Sequence, residues 1–209
     1  MKKLLALVLA LVMSMSLVTI SNAAFKDADK IDYDEAVEVM NAIGVLVGDE
    51  KGNFNAKENL TREQAAKIIS YLLLGNKTAE ALAGWSAGFV DYCASTGVVA
   101  GNGDGTFAPA GQLTGFQFAK MLLVALGYDA KIEGFTGTDW QINVSKVANQ
   151  VGLFNGLSIS GTAVLTREQA AQMCLNTLKS PLVEYSNKGG SLTVNGATVN
   201  IGASNAEYK

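Results

Sequence analysis

The apolar residues of this chain recur at helical spacing in segments that come in three pairs. Within residues 32–43, for example, Ala36, Val37, Met40 and Ile43 would share one face of a helix. Glycines 44, 97 and 152 directly follow the first segment of each pair and are typical of helix C-termini. The pattern predicts a first helix over residues 32–43, 85–96 and 140–151, and a second helix over residues 61–74, 114–126 and 166–178.

The connections between these helices have their own patterns. A short apolar, strand-like piece at residues 45–47, and again at 98–100, leads into a turn that contains glycine. Residues 77–83 predict one or two helical turns between the first two pairs. After Pro181, residues 191–201 alternate apolar and polar positions around an Asn-Gly turn, which is typical of a β-hairpin. The sequence therefore predicts a mainly α fold with a short C-terminal β-hairpin.

The second helix of each pair begins with one repeated phrase, Leu-Thr followed by Gln three residues after the Thr. The threonines at 61, 114 and 166 are separated by 53 and 52 residues, and a near-constant period of this size indicates three stacked repeats. A Thr with a Gln three residues later forms a capping box at a helix start, so these residues are predicted to be structural. They are Thr61, Gln64, Thr114, Gln117, Thr166 and Gln169.

Two arginines in the phrase are not explained by capping. Arg62 and Arg167 fall at the first helical position, where the helix dipole disfavours a cation by about 0.3–1 kcal/mol. An arginine beside exposed N-terminal amides would instead bind an anion such as a carboxylate. An ion pair with Glu63 or Glu168, or with an acid of another repeat, explains the arginines equally well. The residues alone leave both interpretations open.

Tryptophan recurs at the start of two first helices, at Trp85 and Trp140. An indole ring can stack on the face of a sugar or pack at the junction between repeats, and packing is the commoner role for an aromatic residue in this position. The first repeat has Asp32 at the equivalent position, so an aromatic role shared by all repeats is incomplete.

The first 23 residues have the pattern of a secretory signal peptide. Two lysines precede an uncharged apolar run from Leu4 to Ile20, and small residues follow, with cleavage expected after Ala23. A membrane anchor is the alternative interpretation. We expect removal, a mature chain that begins at Ala24 outside the cytoplasm, and no transmembrane anchor afterwards, because no later apolar segment is long enough.

Composition excludes several classes of function. Removal of residues 1–23 takes away two lysines, which leaves 14 basic and 19 acidic residues and a formal net charge of −5, so nucleic acid is not an expected partner. The chain has no histidine, which excludes His-based catalysis and the usual zinc sites. We expect neither an enzyme nor a bound metal or cofactor. Cys93 and Cys174 fall on apolar positions of the repeats, which favours buried thiols over a disulfide.

These residues together resemble S-layer homology domains. The matching motifs are Phe25-Lys26-Asp27, Gly97-Val98, the turn from Gly101 to Pro109 and the phrases that begin at Thr61 and Thr166. The resemblance covers residues 25–179 and implies a pseudo-threefold arrangement of three helix-loop-helix repeats, with binding sites in the grooves between them. On this basis the chain divides into a signal peptide (1–23), three repeats (24–76, 77–130 and 131–180) and a linker with the hairpin (181–209), which begins a further domain or extends a neighbouring sheet.

The resemblance also implies a ligand. The partner of the family is the secondary cell-wall polysaccharide, often pyruvylated, whose ketal carboxylate meets the motif arginine. Carried over to this sequence, the glycan-binding residues are Arg62, Arg167, Trp85, Trp140, Gly48 and Gly101. The family's Glu aligns with the capping glutamines, so Glu63 and Glu168 inherit no ligand role. The second repeat has Gly115 in place of the arginine, which predicts a weakened or lost site.

The sequence thus predicts non-covalent anchoring of an exported protein to the bacterial cell wall. One alternative is a structural protein that self-assembles in an S-layer, and a less favoured one is the targeting portion of a larger wall-associated enzyme.

Overall fold

A computed structural model describes residues 25–82, 85–101, 106–194 and 197–209. Within these ranges the chain is mainly helical, with short antiparallel strands near its C-terminus, as the sequence predicts. The helices are α1 (Asp34–Ala42), α2 (Arg62–Leu74), α3 (Asn76–Glu80), α4 (Trp85–Ser95), α5 (Gly115–Leu126), α6 (Trp140–Gln150) and α7 (Arg167–Leu178). The strands are β1 (Val183–Glu184), β2 (Gly190–Val194), β3 (Ala197–Ile201) and β4 (Glu207–Tyr208). The predicted signal peptide lies outside the described residues.

Helices α2, α5 and α7 each begin with the predicted capping box. At Thr61 the hydroxyl accepts from the Gln64 amide at 3.3 Å, while the Gln64 side chain accepts from the Thr61 amide at 3.0 Å. The boxes at Thr114 and Thr166 have the same two bonds at 3.4 and 2.9 Å. Each box satisfies two amides that a helix start would otherwise leave unpaired, so the prediction of a structural role is confirmed.

The first helix of each repeat ends where the sequence predicts, at a glycine. Gly44, Gly97 and Gly152 have φ values of 72°, 75° and 78°, a region that glycine adopts without a steric penalty. The strand-like piece predicted after α1 is wrong, because the amides of Val45 and Leu46 fold back onto the Met40 carbonyl instead of pairing in a sheet.

The six long helices pack in a cycle. The first helix of each repeat packs on the second helix of the preceding repeat: α4 on α2, α6 on α5, and α1 on α7. The second helices meet in the middle, where α5 packs against both α2 and α7. Because α1 of the first repeat completes its pair with α7 of the third, the repeats form a closed ring with approximate threefold symmetry.

A cycle of three main-chain hydrogen bonds marks the centre of this ring. The Leu60 amide donates to the Leu165 carbonyl at 2.8 Å, the Leu165 amide to Leu113 at 2.8 Å, and the Leu113 amide to Leu60 at 3.2 Å. All three side chains are buried. The residue that precedes each capping threonine therefore joins its own repeat to the other two.

Both cysteines are buried and free. Cys93 lies on α4, where its sulfur is 3.5 Å from the Ser70 hydroxyl, and Cys174 is part of the core on α7. Burial raises the pKa of both thiols. The expectation of buried thiols is confirmed.

The C-terminal segment is attached to the loop between the second and third repeats. A Cβ atom on Gly127 would lie within the contact distance of the Val183 carbonyl, so only glycine permits this approach. The Tyr185 hydroxyl accepts from the Asp129 amide at 3.1 Å and donates to the Glu133 carboxylate at 2.7 Å. The predicted β-hairpin is formed by β2 and β3, which pair antiparallel from Gly190 with Ile201 to Val194 with Ala197, and residues 195 and 196 lie outside the described part of the chain.

Candidate functional site

The two motif arginines reach across the junctions between repeats and make the same contacts. Arg167 donates from Nε to the Phe54 carbonyl at 3.0 Å and from Nη2 to the Val47 carbonyl at 3.0 Å. Its guanidinium lies 5.0 Å from the centre of the Phe54 ring. Each contact joins the start of α7 to the turn that follows α1. The guanidinium is therefore fixed by two backbone bonds and an aromatic face.

Arg62 repeats this geometry one junction further along. It donates from Nε to the Phe107 carbonyl at 2.8 Å and from Nη2 to the Ala100 carbonyl at 2.9 Å. Its guanidinium is 4.4 Å from the centre of the Phe107 ring. Ala100 and Phe107 occupy the positions in the second repeat that Val47 and Phe54 occupy in the first.

The helix N-terminal amides beside these arginines are not exposed, contrary to the reasoning from sequence. At α7, the amides of Arg167 and Glu168 donate to the carbonyls of Glu58 and Ala56 at 2.9 and 3.2 Å. At α2, the corresponding amides donate to Gly111 and Pro109. The loop of the neighbouring repeat thus satisfies the groups that an anion was expected to meet, and an anion at either junction would depend on the guanidinium.

Each guanidinium has donors left over. A guanidinium carries about five N–H donors, and the two backbone carbonyls use two of them. Among the described residues, no carboxylate lies within 4.0 Å of either arginine. The ion pair with Glu63 or Glu168 that the sequence left open is therefore not formed there. Both arginines can still donate to a ligand.

A groove of about 380 Å³ opens beside Arg167. Its lining joins three parts of the ring: the turn after α1, the first turns of α2, and the start of α7. The lining includes Gly48, Asp49, Asn55, Gln64, Lys67 and Arg167.

Gly48 lines this groove at a point where the turn after α1 is closely packed. A Cβ atom built on it would lie 2.6 Å from the Phe25 ring and 2.8 Å from the Asn53 carbonyl. Gly101, its counterpart in the second repeat, would bring a Cβ atom 3.0 Å from the Thr106 carbonyl. Both glycines are needed for the close backbone approach within their turns, and Gly48 also lines the groove.

The groove contains one carboxylate that is stabilised by hydrogen bonds, Asp49, and one partly buried guanidinium, Arg167. The Asn53 amide and the Asn55 side chain donate to Asp49 and lower the pKa of its carboxyl to about 2. Burial lowers the pKa of the Arg167 guanidinium, and the carboxylates of Glu58, Asp49 and Asp27 oppose that shift. An arginine stays protonated despite such burial, so the groove keeps a cation that is partly desolvated.

Backbone strain recurs at the same place in the first two repeats. Asn55 and Ala108, which follow the two aromatic residues, have φ values of 60° and 50°. Among the described residues they are the non-glycine positions with positive φ, a conformation that costs of order 1–3 kcal/mol. The first two turns therefore share a strained shape as well as an arginine partner.

The third junction, where Gly115 lies, has different residues from the two arginine junctions. Gly115 replaces the arginine, and a Cβ atom on it would lie 3.3 Å from both Gly161 and the end of the Ile159 side chain. Phe116 lies over Gly161 and packs edge-on against Phe154, with the ring centres 6.0 Å apart. The third junction therefore has apolar side chains, Phe116, Phe154 and Ile159, packed around Gly115 and Gly161.

Trp140 and Trp85 are the two tryptophans that the sequence suggested for glycan binding. Trp140 begins α6 and is half-buried against the core. The centre of its ring lies 5.8 Å from the Lys120 ammonium. Trp85 begins α4, but its side chain is outside the described part of the structure. A glycan-binding role for Trp85 and Trp140 therefore stays a prediction.

Reasoning from the sequence did not identify two features of the junctions. Lys67 and Lys120 each follow a capping threonine by six residues, and the repeat alignment could have identified them. Glu168 is buried, accepts from the Asp32 amide at 2.7 Å and pairs with Lys57. No local pattern indicated that an acid in the first turn of α7 would be buried.

Over the ranges that the structure describes, no helix has the length and apolar character to cross a membrane. In the same ranges, no group of three or more acidic, Cys or His side chains is arranged to hold a metal ion.

Comparison with known proteins relates the first two repeats of this ring to a described domain family. The profile of the S-layer homology domain matches residues 24–66 and 79–119, in the first two repeats. The chain therefore contains two segments that match S-layer homology domains. Residues 131–180 lie outside the matched segments, but their helices α6 and α7 complete the same ring.

Several bacterial surface proteins are similar to this chain. The middle cell wall protein of Brevibacillus brevis is 26% identical over 193 residues, which cover 86% of this chain and 18% of that protein. The cell surface protein of Thermoanaerobacter kivui is 26% identical over 200 residues, which cover 88% of this chain and 25% of that protein. An S-layer protein of Bacillus thuringiensis subsp. finitimus is 27% identical over 154 residues, covering 65% and 19% respectively.

The chain thus spans a quarter or less of the length of these relatives. Together the family and the relatives indicate a secreted protein of the bacterial cell wall or S-layer.

Proposed function

We propose that this chain anchors an exported protein to the bacterial cell wall without a covalent bond, by binding secondary cell-wall polysaccharide at two of its three junctions. Arg62 and Arg167 bind carboxylates of the glycan, with pyruvate ketals as the expected source. Gly48 and Gly101 shape the turns that face these arginines. The third junction, at Gly115, does not bind.

The observation that carries this proposal is the matched geometry of the two arginines. Each guanidinium is held by two carbonyls and one aromatic ring of the next repeat, and each keeps donors that no described carboxylate uses. A planar group fixed in this way suits bidentate binding of a carboxylate. Two such sites on one rigid ring, each weak, would retain the protein on a polymer through avidity, with a gain of about 10²–10⁴.

The test is co-sedimentation of the full chain with cell-wall sacculi, before and after chemical removal of the pyruvate ketals. We expect removal of the ketals to reduce binding at least tenfold. The variant Arg62→Gln with Arg167→Gln should reduce binding to the same level on intact sacculi. Glutamine keeps one amide donor for the backbone carbonyls, so it disturbs the junction less than alanine would.

Two controls separate binding from folding. Lys146 lies on the exposed face of α6, and Lys146→Gln should leave binding unchanged. A melting curve should show that the arginine variants remain folded at the temperature of the assay. Full binding by the folded double variant, or to sacculi without ketals, would rule out the carboxylate mechanism.

Self-assembly in an S-layer is the second candidate, favoured by the names of several relatives. It predicts ordered, concentration-dependent assemblies of the purified protein in the absence of glycan. Analytical ultracentrifugation across a hundredfold range of concentration distinguishes the two functions, since an anchor alone stays at one sedimentation coefficient.

A further inference from the structure

The groove beside Arg167 contains a second cation. Lys67, on α2, lines the same groove and lies 5.6 Å from the centre of the Tyr71 ring. It follows the capping residue Thr61 by six positions, and Lys120 follows Thr114 by the same number. Repeat symmetry therefore places Lys120 at the junction of Arg62.

Neither lysine has the ion pair that would explain its position. Both side chains are half-buried, and among the described residues no carboxylate lies within 4.0 Å of either ammonium. Aromatic rings support both, Tyr71 under Lys67 and Trp140 under Lys120. Burial also lowers the pKa of Lys120. A partly desolvated ammonium without a carboxylate is unfavourable for folding, which points to a role in binding.

The other charges of the groove leave the lysine available. Asp49 accepts from the Lys51 and Asn53 amides and from the side chains of Asn53 and Asn55, so its oxygens are committed to the turn. Glu58 also lines the groove and is exposed to solvent.

The third junction lacks both cations together. Gly115 stands in the place of the arginine and Gln172 in the place of the lysine. The Gln172 amide donates to the Asn176 side chain at 3.0 Å and so belongs to the protein's own network. The arginine and the lysine of one junction come from different repeats. A lysine that served only its own helix would have no reason to be missing where the neighbouring repeat's arginine is missing.

We propose that Lys67 and Lys120 are the second ligand-binding cations of their grooves, and that each binds a second anionic group, a phosphate or a further carboxylate, on the glycan whose ketal carboxylate meets the arginine. This inference rests on the proposed function. Trp140 then acts on the ligand indirectly, by positioning the Lys120 ammonium.

The experiment is isothermal titration of the full chain with three synthetic disaccharides. The first carries one pyruvate ketal, the second adds a phosphate monoester, and the third adds a second carboxylate. We expect one of the doubly charged sugars to bind the natural chain at least tenfold more tightly than the singly charged one, and the preferred sugar identifies the second group. In the variant Lys67→Gln with Lys120→Gln, the three sugars should bind within about twofold of one another.

The substitution reproduces the residue that the third repeat already has, Gln172, so the fold should tolerate it, and a melting curve checks this. The matched control Lys146→Gln should keep the natural preference. A folded double variant that retains the preference, or a natural chain that binds all three sugars equally, overturns the role of the lysines while leaving the arginines in place. A natural chain that binds none of the three overturns the proposed function as well.

Discussion

Glu168 of the third repeat is buried and pairs with Lys57 of the first repeat, across 111 positions of sequence. Lys57 also meets Asp32 at 2.5 Å, and the Asp32 amide donates to Glu168. The network lies at the junction between the first and last repeats, which no linker joins directly. At the other junctions the position of Lys57 is taken by Ala110 and Thr162, so this pair belongs to one junction alone.

Glu168→Ala should lower the free energy of unfolding by about 2–3 kcal/mol, because it leaves the Asp32 amide without its acceptor and the ammonium without its buried partner. Urea denaturation monitored by circular dichroism measures the change. The matched control is Glu63→Ala at the same position of the first repeat, for which we expect about 0.5 kcal/mol or less. Equal losses in the two variants would contradict the special role of this pair.

Gly115→Arg should not create a third binding groove. The first side-chain atom would already meet Gly161 and Ile159 at 3.3 Å, closer than most Cβ contacts, and Phe116 is packed over Gly161. We expect a lower melting temperature and an unchanged stoichiometry for a sugar that carries a pyruvate ketal, measured by isothermal titration. Appearance of one additional site per chain would show that the third groove is closed only by its missing arginine.

The turn after α1 should make stability depend on pH in acid. The pKa of Asp49 is lowered from 3.8 to about 2 in the folded protein, so the contribution of this group is present above pH 4 and is lost as pH falls through 2. Melting temperatures between pH 5 and pH 2 should therefore fall less steeply in Asp49→Asn than in the natural chain. Asp91→Asn, on the exposed side of α4, provides the control and should leave the slope unaltered.

The sequence predicted those parts of the fold that depend on neighbouring residues. The capping boxes were found because Thr and Gln are three positions apart, and the helix ends because glycine tolerates positive φ. The closed ring could be predicted only from the family resemblance. No local sequence pattern indicates that the Leu60 amide donates to the Leu165 carbonyl.

The candidate site was predicted only in part. The positions of Arg62 and Arg167 at helix starts were correct, but the amides beside them are covered by carbonyls from another repeat. Contacts between distant segments, such as Arg167 with Val47, depend on how the ring closes and leave no trace in local spacing. Lys67 and Lys120 were visible in the repeat alignment, but the alignment does not show that Lys67 lines a groove with Arg167.

The cycle of Leu60, Leu113 and Leu165 has a consequence for how such a domain changes in evolution. In an open solenoid a duplicated repeat adds to a free end and the array grows. Here each leucine amide and carbonyl already has its partner, and every first helix is already paired. A fourth copy would have no free face to join, so duplication of a single repeat cannot lengthen this ring, and copy number would change by whole sets of three.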